Sequence, residues 1–152
     1  MASPPHRINY PDTMSNFNER LERESKTYRP SIDGDKMLAP DFAASEFACD
    51  DGTDVMLVHP ALVRLVQTIR DNVAAPVTIT SAFRTAAHNA KIGGADNSRH
   101  MYGLAADIVT PAATPNEVAA MAEDLGAGGV GRYDDFTHVD VWGSDRRWDR
   151  RS

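Results

Sequence analysis

The chain has little of what several common classes of protein need. It has one cysteine, Cys49, in 152 residues, so no disulfide can form within it and a metal site built mainly from thiolates is excluded. Its 16 basic residues are outnumbered by 22 acidic ones, which gives a net charge of −6, whereas nucleic-acid binding needs a dense cationic surface. We therefore expect no nucleic-acid partner, and any metal has to be held by histidines and carboxylates.

Long apolar stretches are also missing. No segment approaches the ~18 consecutive apolar residues that a membrane span needs. The first residues, MASPPHRINYPDT, lack an apolar stretch behind a basic start, which a standard export signal would have. We expect no membrane insertion and no such signal in this chain.

The length and the texture of the sequence predict one domain preceded by a polar segment. A chain of 152 residues of which 41% are hydrophobic has the size of a single domain with one core, and a monomer is expected. Residues 1–35 are polar and rich in proline, serine, asparagine and arginine, as in an arm or linker. The domain itself is predicted over residues 36–152.

Periodicity and capping signals predict the elements of this domain. Helical spacing of apolar residues follows Pro60, and the sequence Thr114-Pro115-Asn116-Glu117 is a capping box that begins a helix through about Leu125. Alternating or β-branched stretches predict strands in PVTITSAF, LAADIVT, GAGGVGRY and FTHVDVW. The order of these elements predicts an α+β fold: a mostly antiparallel sheet flanked by helices.

Two ligand-type residues lie close together in SRHMYGLAAD, which covers residues 98–107. In a strand beginning near Leu104, Asp107 faces away from the apolar positions that pack the core, so its carboxylate points into a cleft or solvent. His100 lies in the preceding loop, where Gly103 permits a turn back over Asp107 beside the small Ala105. This segment therefore offers two metal ligands.

A third ligand comes from the strand FTHVDVW, residues 136–142. Alternation places Phe136, His138, Asp140 and Trp142 on one face. His138 can complete a set of three nitrogen and oxygen donors with His100 and Asp107. Such a set leaves a fourth position for water, as in catalytic rather than structural zinc sites.

Together these segments resemble a family of zinc peptidases that act on bacterial peptidoglycan. The family includes D-alanyl-D-alanine carboxypeptidases, L-alanyl-D-glutamate endopeptidases and many phage endolysins. The resemblance runs from about Phe47 to Trp148 in six blocks in order: SEFACDDG, TSAFRT, HNAKIGGA, SRHMYGLAADI, GGVGRY and FTHVDVW. It implies a small α+β fold, Zn²⁺ held by His100, Asp107 and His138 in a cleft on the sheet, and a peptidoglycan peptide as substrate.

The resemblance also implies catalytic residues, with one alternative left open. Many members have an acidic residue three positions before the second ligand histidine, which makes Asp135 the first choice for the general base. Asp140 is the competing candidate, either as the base or as a group that orients a ligand. Arg84 matches an arginine of the family, where a guanidinium could hold a substrate carboxylate or stabilise an oxyanion. Cys49 is expected to be buried.

Three functions fit this pattern. The first is an endolysin-like endopeptidase that cleaves peptide stems or cross-links. The second is a D-Ala-D-Ala carboxypeptidase or dipeptidase, and the third is a non-catalytic zinc-containing module of the cell wall or a virion. The expected location is the cytoplasm until release to the wall, as for a phage or prophage lysin, or a virion.

Overall fold

The computed structural model describes residues 20–21 and 23–152 of the chain. The predicted arm lies partly outside them. The elements in chain order are β1 Lys26–Tyr28, α1 Pro30–Asp33, β2 Met37–Ala39, β3 Phe42–Ala43, a 3-10 turn Ala44–Phe47, β4 Met56–Val58, α2 Pro60–Val73, β5 Thr78–Ser81, α3 Ala86–Lys91, a 3-10 turn Arg99–Tyr102, β6 Ala105–Val109, α4 Pro115–Asp124, β7 Gly129–Arg132, β8 Thr137–Asp140 and β9 Arg146–Asp149.

A five-stranded sheet organises the domain. Its strand order is β5-β6-β8-β7-β9, and two small two-stranded sheets, β1-β4 and β2-β3, lie beside it. Among the described residues, all strand pairings are antiparallel except that of β7 with β9. The predicted α+β fold with a mostly antiparallel sheet is confirmed.

The two longer helices begin where the sequence predicts. The ring of His59 accepts a hydrogen bond from the backbone of Ala61, and Pro60 occupies the first turn of α2. The capping box of α4 is formed on both sides, because the Thr114 hydroxyl accepts from the Glu117 backbone and the Glu117 carboxylate accepts from that of Thr114. The starts of both helices are therefore determined by local side-chain chemistry.

The core lies on one face of the main sheet. Leu104, Ala106 and Ile108 from β6 and its approach join Val139 and Val141 there, all fully or almost fully buried. Apolar residues of α2 and α4 pack in the same core. The opposite face of β6 and β8 is consequently left for Asp107, His138 and Asp140, as alternation predicts.

The folded domain extends into the stretch predicted as an arm. Residues Lys26–Tyr28 pair with Met56–Val58, Pro30–Asp33 form a helical turn, and Leu21 is buried in the core. Polar composition favoured an arm, but strand pairing is made by the backbone and needs few apolar side chains. No helix in the described part of the chain is both long and apolar enough to cross a membrane.

Candidate metal centre

The register of the sheet brings the predicted ligands together. Asp107 on β6 lies directly opposite His138 on β8, and His138 in turn lies opposite Gly131 on β7. Ala105 faces Asp140 in the neighbouring row. Two antiparallel pairings therefore place side chains from distant parts of the sequence on one face within reach of each other.

His100, Asp107 and His138 form one compact group of donors. One donor atom of each lies within 4.8 Å of the others. Asp107 Oδ1 is the shared atom, 3.3 Å from His100 Nε2 and 3.0 Å from His138 Nδ1. All three residues are buried, with exposed fractions of 3%, 5% and 9%. The three predicted ligands are thus brought together at the floor of a cleft that all three line.

The remaining ring nitrogens show that this group fits a metal ion. His100 Nδ1 is 2.7 Å from the carbonyl oxygen of Ala82, which can only accept, so this nitrogen carries the proton and Nε2 keeps its lone pair in the neutral ring. His138 Nε2 is 2.8 Å from Asp140 Oδ2. Histidine ligands characteristically have their second nitrogen fixed in this way by a carbonyl or carboxylate. Two nitrogens and one oxygen therefore face one another in a set that suits zinc.

The charges of the group support the same conclusion. Burial favours the neutral form of His138, but hydrogen bonds to Asp107 and Asp140 outweigh it and raise the pKa of His138 to about 9. Burial also opposes ionisation of Asp107, yet hydrogen bonds from His100 and His138 hold its pKa below the ordinary range. The site thus favours a positive charge on His138 beside an ionised Asp107, and a metal ion bound there would replace the His138 proton and supply that charge instead.

Asp140 is a fully buried carboxylate whose two oxygens are both occupied. Oδ2 accepts from His138, while Oδ1 accepts from the Trp142 backbone at 3.0 Å and from Arg146 Nη1 at 2.9 Å. Gly129 lies opposite Asp140, and a Cβ there would overlap the carboxylate. The absence of a side chain at Gly129 on β7 therefore makes room for the carboxylate that contacts His138.

Arg84 contacts the candidate metal-ligand group through Asp107. Its guanidinium donates to Ser81 Oγ at 3.1 Å, Asn89 Oδ1 at 3.3 Å and Asp107 Oδ2 at 3.3 Å. These contacts use three of the five N–H donors that a guanidinium has. Arg84 also lines the cleft, so it can hold Asp107 in place and still face a bound molecule.

Comparisons with known proteins agree with this geometry. The profile of the family described as peptidase M15 matches residues 37–140, which is well over half of the chain and includes all three ligand-type residues. The chain belongs to the peptidase M15 family. The resemblance inferred from the sequence is confirmed.

A curated relative of this M15 chain is the zinc D-Ala-D-Ala carboxypeptidase of Streptomyces albus G. The two sequences are 40% identical over 79 residues, which cover 48% of this chain and 30% of the relative. The chain thus aligns with less than a third of the relative's length, and the remainder of that protein has no counterpart in the alignment.

The cleft of the M15 domain is cationic and partly aromatic. Its volume is about 830 Å³, and its lining includes four arginines, Arg84, Arg99, Arg146 and Arg150. Aromatic rings of Tyr133, Phe136 and Trp148 form part of its wall. The two carboxylates of the lining, Asp107 and Asp140, are both paired with histidine and arginine. The cleft therefore suits a small anionic ligand.

Asp135 is placed differently from the other predicted site residues. It is exposed in the turn before β8 and is not part of the cleft lining described above. Its neighbour Phe136 faces the cleft and stacks on Tyr133, with 4.4 Å between ring centroids. The structure thus brings together five of the predicted site residues: His100, Asp107, His138, Asp140 and Arg84. Asp135 is the exception, because it lies in the exposed turn three residues before His138.

Sequence reasoning missed the contribution of β9. Trp148 lies 5.0 Å from the ring of His138 and donates through Nε1 to the Tyr133 hydroxyl. Arg146 pairs with Asp140 and lies over the ring of Trp142, 4.6 Å from its centroid. The alternation in Arg146-Arg147-Trp148-Asp149 could have predicted this strand, since it puts Arg146 and Trp148 on one face. The segment was not predicted as a strand because three of its four residues are charged.

Proposed function

We propose that this chain is a zinc-dependent peptidase that hydrolyses amide bonds in the peptide stems or cross-links of bacterial peptidoglycan. The observation that carries the proposal is the buried set of His100, Asp107 and His138, whose donors face one another in a cleft. Membership of the peptidase M15 family and the name of the Streptomyces relative support zinc as the ion and peptidoglycan as the substrate.

The protein's own residues prepare the site for the ion. Zinc held by three protein donors supplies Lewis acidity that activates water and polarises a scissile carbonyl group. His100 and His138 can direct lone pairs at the ion because Ala82 and Asp140 accept from their other ring nitrogens. Arg84 fixes the second oxygen of Asp107, which leaves Oδ1 directed at both rings.

The charge of the cleft supports a substrate with a free carboxylate. Peptidoglycan stems carry carboxylates at their termini and on acidic residues, and a guanidinium fork binds a carboxylate with two parallel hydrogen bonds. Arg84 is the arginine closest to the ligand set by its contact with Asp107. We assign it the role of holding a substrate carboxylate or a developing oxyanion near the scissile bond.

We propose different roles for the two candidate carboxylates, Asp135 and Asp140. Asp140 accepts three hydrogen bonds and is fully buried, so we give it the role of orienting His138 rather than that of the base. Asp135 stays the predicted general base, because an acidic residue three positions before the second ligand histidine is the pattern that many family members have. In this role its carboxylate has to reach the cleft from the exposed turn before β8.

The choice of bond distinguishes two candidate activities. An endolysin-like endopeptidase would cut inside a stem or cross-link, and this is the activity we propose. A D-Ala-D-Ala carboxypeptidase or dipeptidase is the second candidate, and the relative's name and the cationic cleft favour it, since a terminal carboxylate would meet the arginines.

Mass spectrometry of peptidoglycan fragments tests the proposal. Purified muropeptides and intact sacculi are incubated with zinc-loaded wild type and with His138→Ala. New amine and carboxyl ends inside the stem or cross-link would support the endopeptidase, and loss of terminal D-alanine would support the carboxypeptidase. Zinc binding without any new fragment would instead support the non-catalytic module and contradict the proposed function.

A further inference from the structure

A second group of metal-type ligands lies outside the M15 centre. The thiol of Cys49, a carboxylate oxygen of Asp51 and a ring nitrogen of His88 lie within 4.8 Å of one another. Cys49 is buried, His88 is half-buried and Asp51 is exposed. The first two residues follow the 3-10 turn Ala44–Phe47, and His88 lies in α3, so the group connects two segments that are distant in sequence.

Hydrogen bonds hold the Asp51 carboxylate next to the start of α3. Asp51 accepts from the backbone of Thr53 at 2.9 Å and from the hydroxyl of Thr85 at 2.8 Å. The same Thr85 hydroxyl accepts from the backbone of His88 at 3.1 Å. The Asp51 carboxylate and the backbone of His88 therefore share one hydroxyl group, and the hydrogen bonds from Thr53 and Thr85 hold the pKa of Asp51 below its ordinary range.

We propose that Cys49, Asp51 and His88 form a second transition-metal site. Sulfur, nitrogen and oxygen donors in one set suit zinc and its close analogue cobalt, whereas calcium and magnesium take oxygen ligands. Three protein ligands leave a further position that water can occupy from the exposed side, where Asp51 lies. Metal binding would deprotonate the thiol, since the thiolate is the ligand form.

The site has a structural consequence for the cleft. His88 is followed in α3 by Asn89, which is buried and accepts from Arg84. Thr85, which binds Asp51, directly follows Arg84 in the chain. An ion held by Cys49, Asp51 and His88 would therefore fix the start of α3 and, through it, the position of Arg84. This role is independent of whether the M15 centre hydrolyses peptidoglycan.

Cobalt titration of the full chain tests the proposal, because only a thiolate ligand gives a sulfur-to-cobalt charge-transfer band. The metal-stripped, reduced protein should bind about two equivalents of Co²⁺, one of them with this band. His138→Ala should lose one equivalent and keep the band, since the group of His100, Asp107 and His138 contains no sulfur donor. Cys49→Ser should lose the band, and His88→Ala should lose or strongly weaken the same equivalent.

The controls separate ligand loss from loss of the fold. Asp50→Asn changes an exposed acid of the same turn and should keep both equivalents and the band. If Cys49→Ser does not fold, His88→Ala carries the test, with its circular dichroism compared with that of wild type. A wild type that binds one equivalent without the band would overturn the proposal, as would a band of unchanged affinity in both His88→Ala and Asp51→Asn.

Discussion

Replacing Asp140 by asparagine tests the assignment of this carboxylate as the group that orients His138. Asparagine keeps the shape, but its amide nitrogen is a donor and would face a donor of His138, Trp142 or Arg146. One buried donor left unpaired costs about 1–3 kcal/mol. The Arg146 side chain is 33% exposed, so the lost ion pair adds less than the ~3–5 kcal/mol of a fully buried one.

From these contributions we expect Asp140→Asn to lower the free energy of unfolding by about 2–4 kcal/mol. Loss of the carboxylate that fixes a histidine ligand should also weaken zinc binding by about 10- to 100-fold. Urea denaturation measures the first effect, and competition with a chromogenic chelator measures the second. Zinc affinity and stability equal to those of wild type would refute the orienting role.

Asp135→Asn is compared with Asp140→Asn in the same measurements of stability and zinc affinity. Asp135 is exposed, so its substitution should change stability by less than about 0.5 kcal/mol and leave zinc binding intact. If Asp135 is the base, the amide cannot accept a proton, and kcat should fall by roughly 10²-fold or more at equal zinc content. Near-normal turnover of this variant would remove Asp135 from the mechanism.

Two further substitutions test the cleft and the fold separately. Arg84→Lys should keep zinc but lower kcat/KM by about ten-fold or more, because a lysine cannot contact Ser81, Asn89 and Asp107 together; Arg64→Lys on the exposed face of α2 is the control, and equal rates in both would make Arg84 purely structural. Thr114→Ala should lower the free energy of unfolding by about 1 kcal/mol through loss of the α4 cap, whereas Thr114→Ser should keep most of it; equal stability of the two variants in urea would show that the cap contributes little.

Local chemistry made parts of this fold predictable from the sequence. The cap at Thr114, the proline at the start of α2 and the alternation in β6 and β8 each act over a few residues. Alternation also placed Asp107 and His138 away from the core, and the antiparallel register then set them opposite each other. For these elements the predicted faces agree with the structure.

Contacts between distant segments were not predictable in the same way. The parallel pairing of Arg146–Asp149 with β7 depends on backbone groups, and nothing in this charged strand indicates its partner. The burial of Asp140 depends on Arg146 and on the missing side chain of Gly129, both outside its own strand. The pairing of Lys26–Tyr28 with β4 escaped prediction for the same reason.

Reconstitution of the metal-stripped protein tests whether His138 holds a zinc ion that is required for peptidoglycan hydrolysis. Wild type and His138→Ala are titrated with zinc while bound metal and the release of new ends from peptidoglycan are measured on the same samples. We expect His138→Ala to bind one equivalent fewer than wild type and to be inactive at every zinc concentration. Full peptidoglycan hydrolysis by the metal-stripped wild type, or equal zinc content in both proteins, would contradict this expectation.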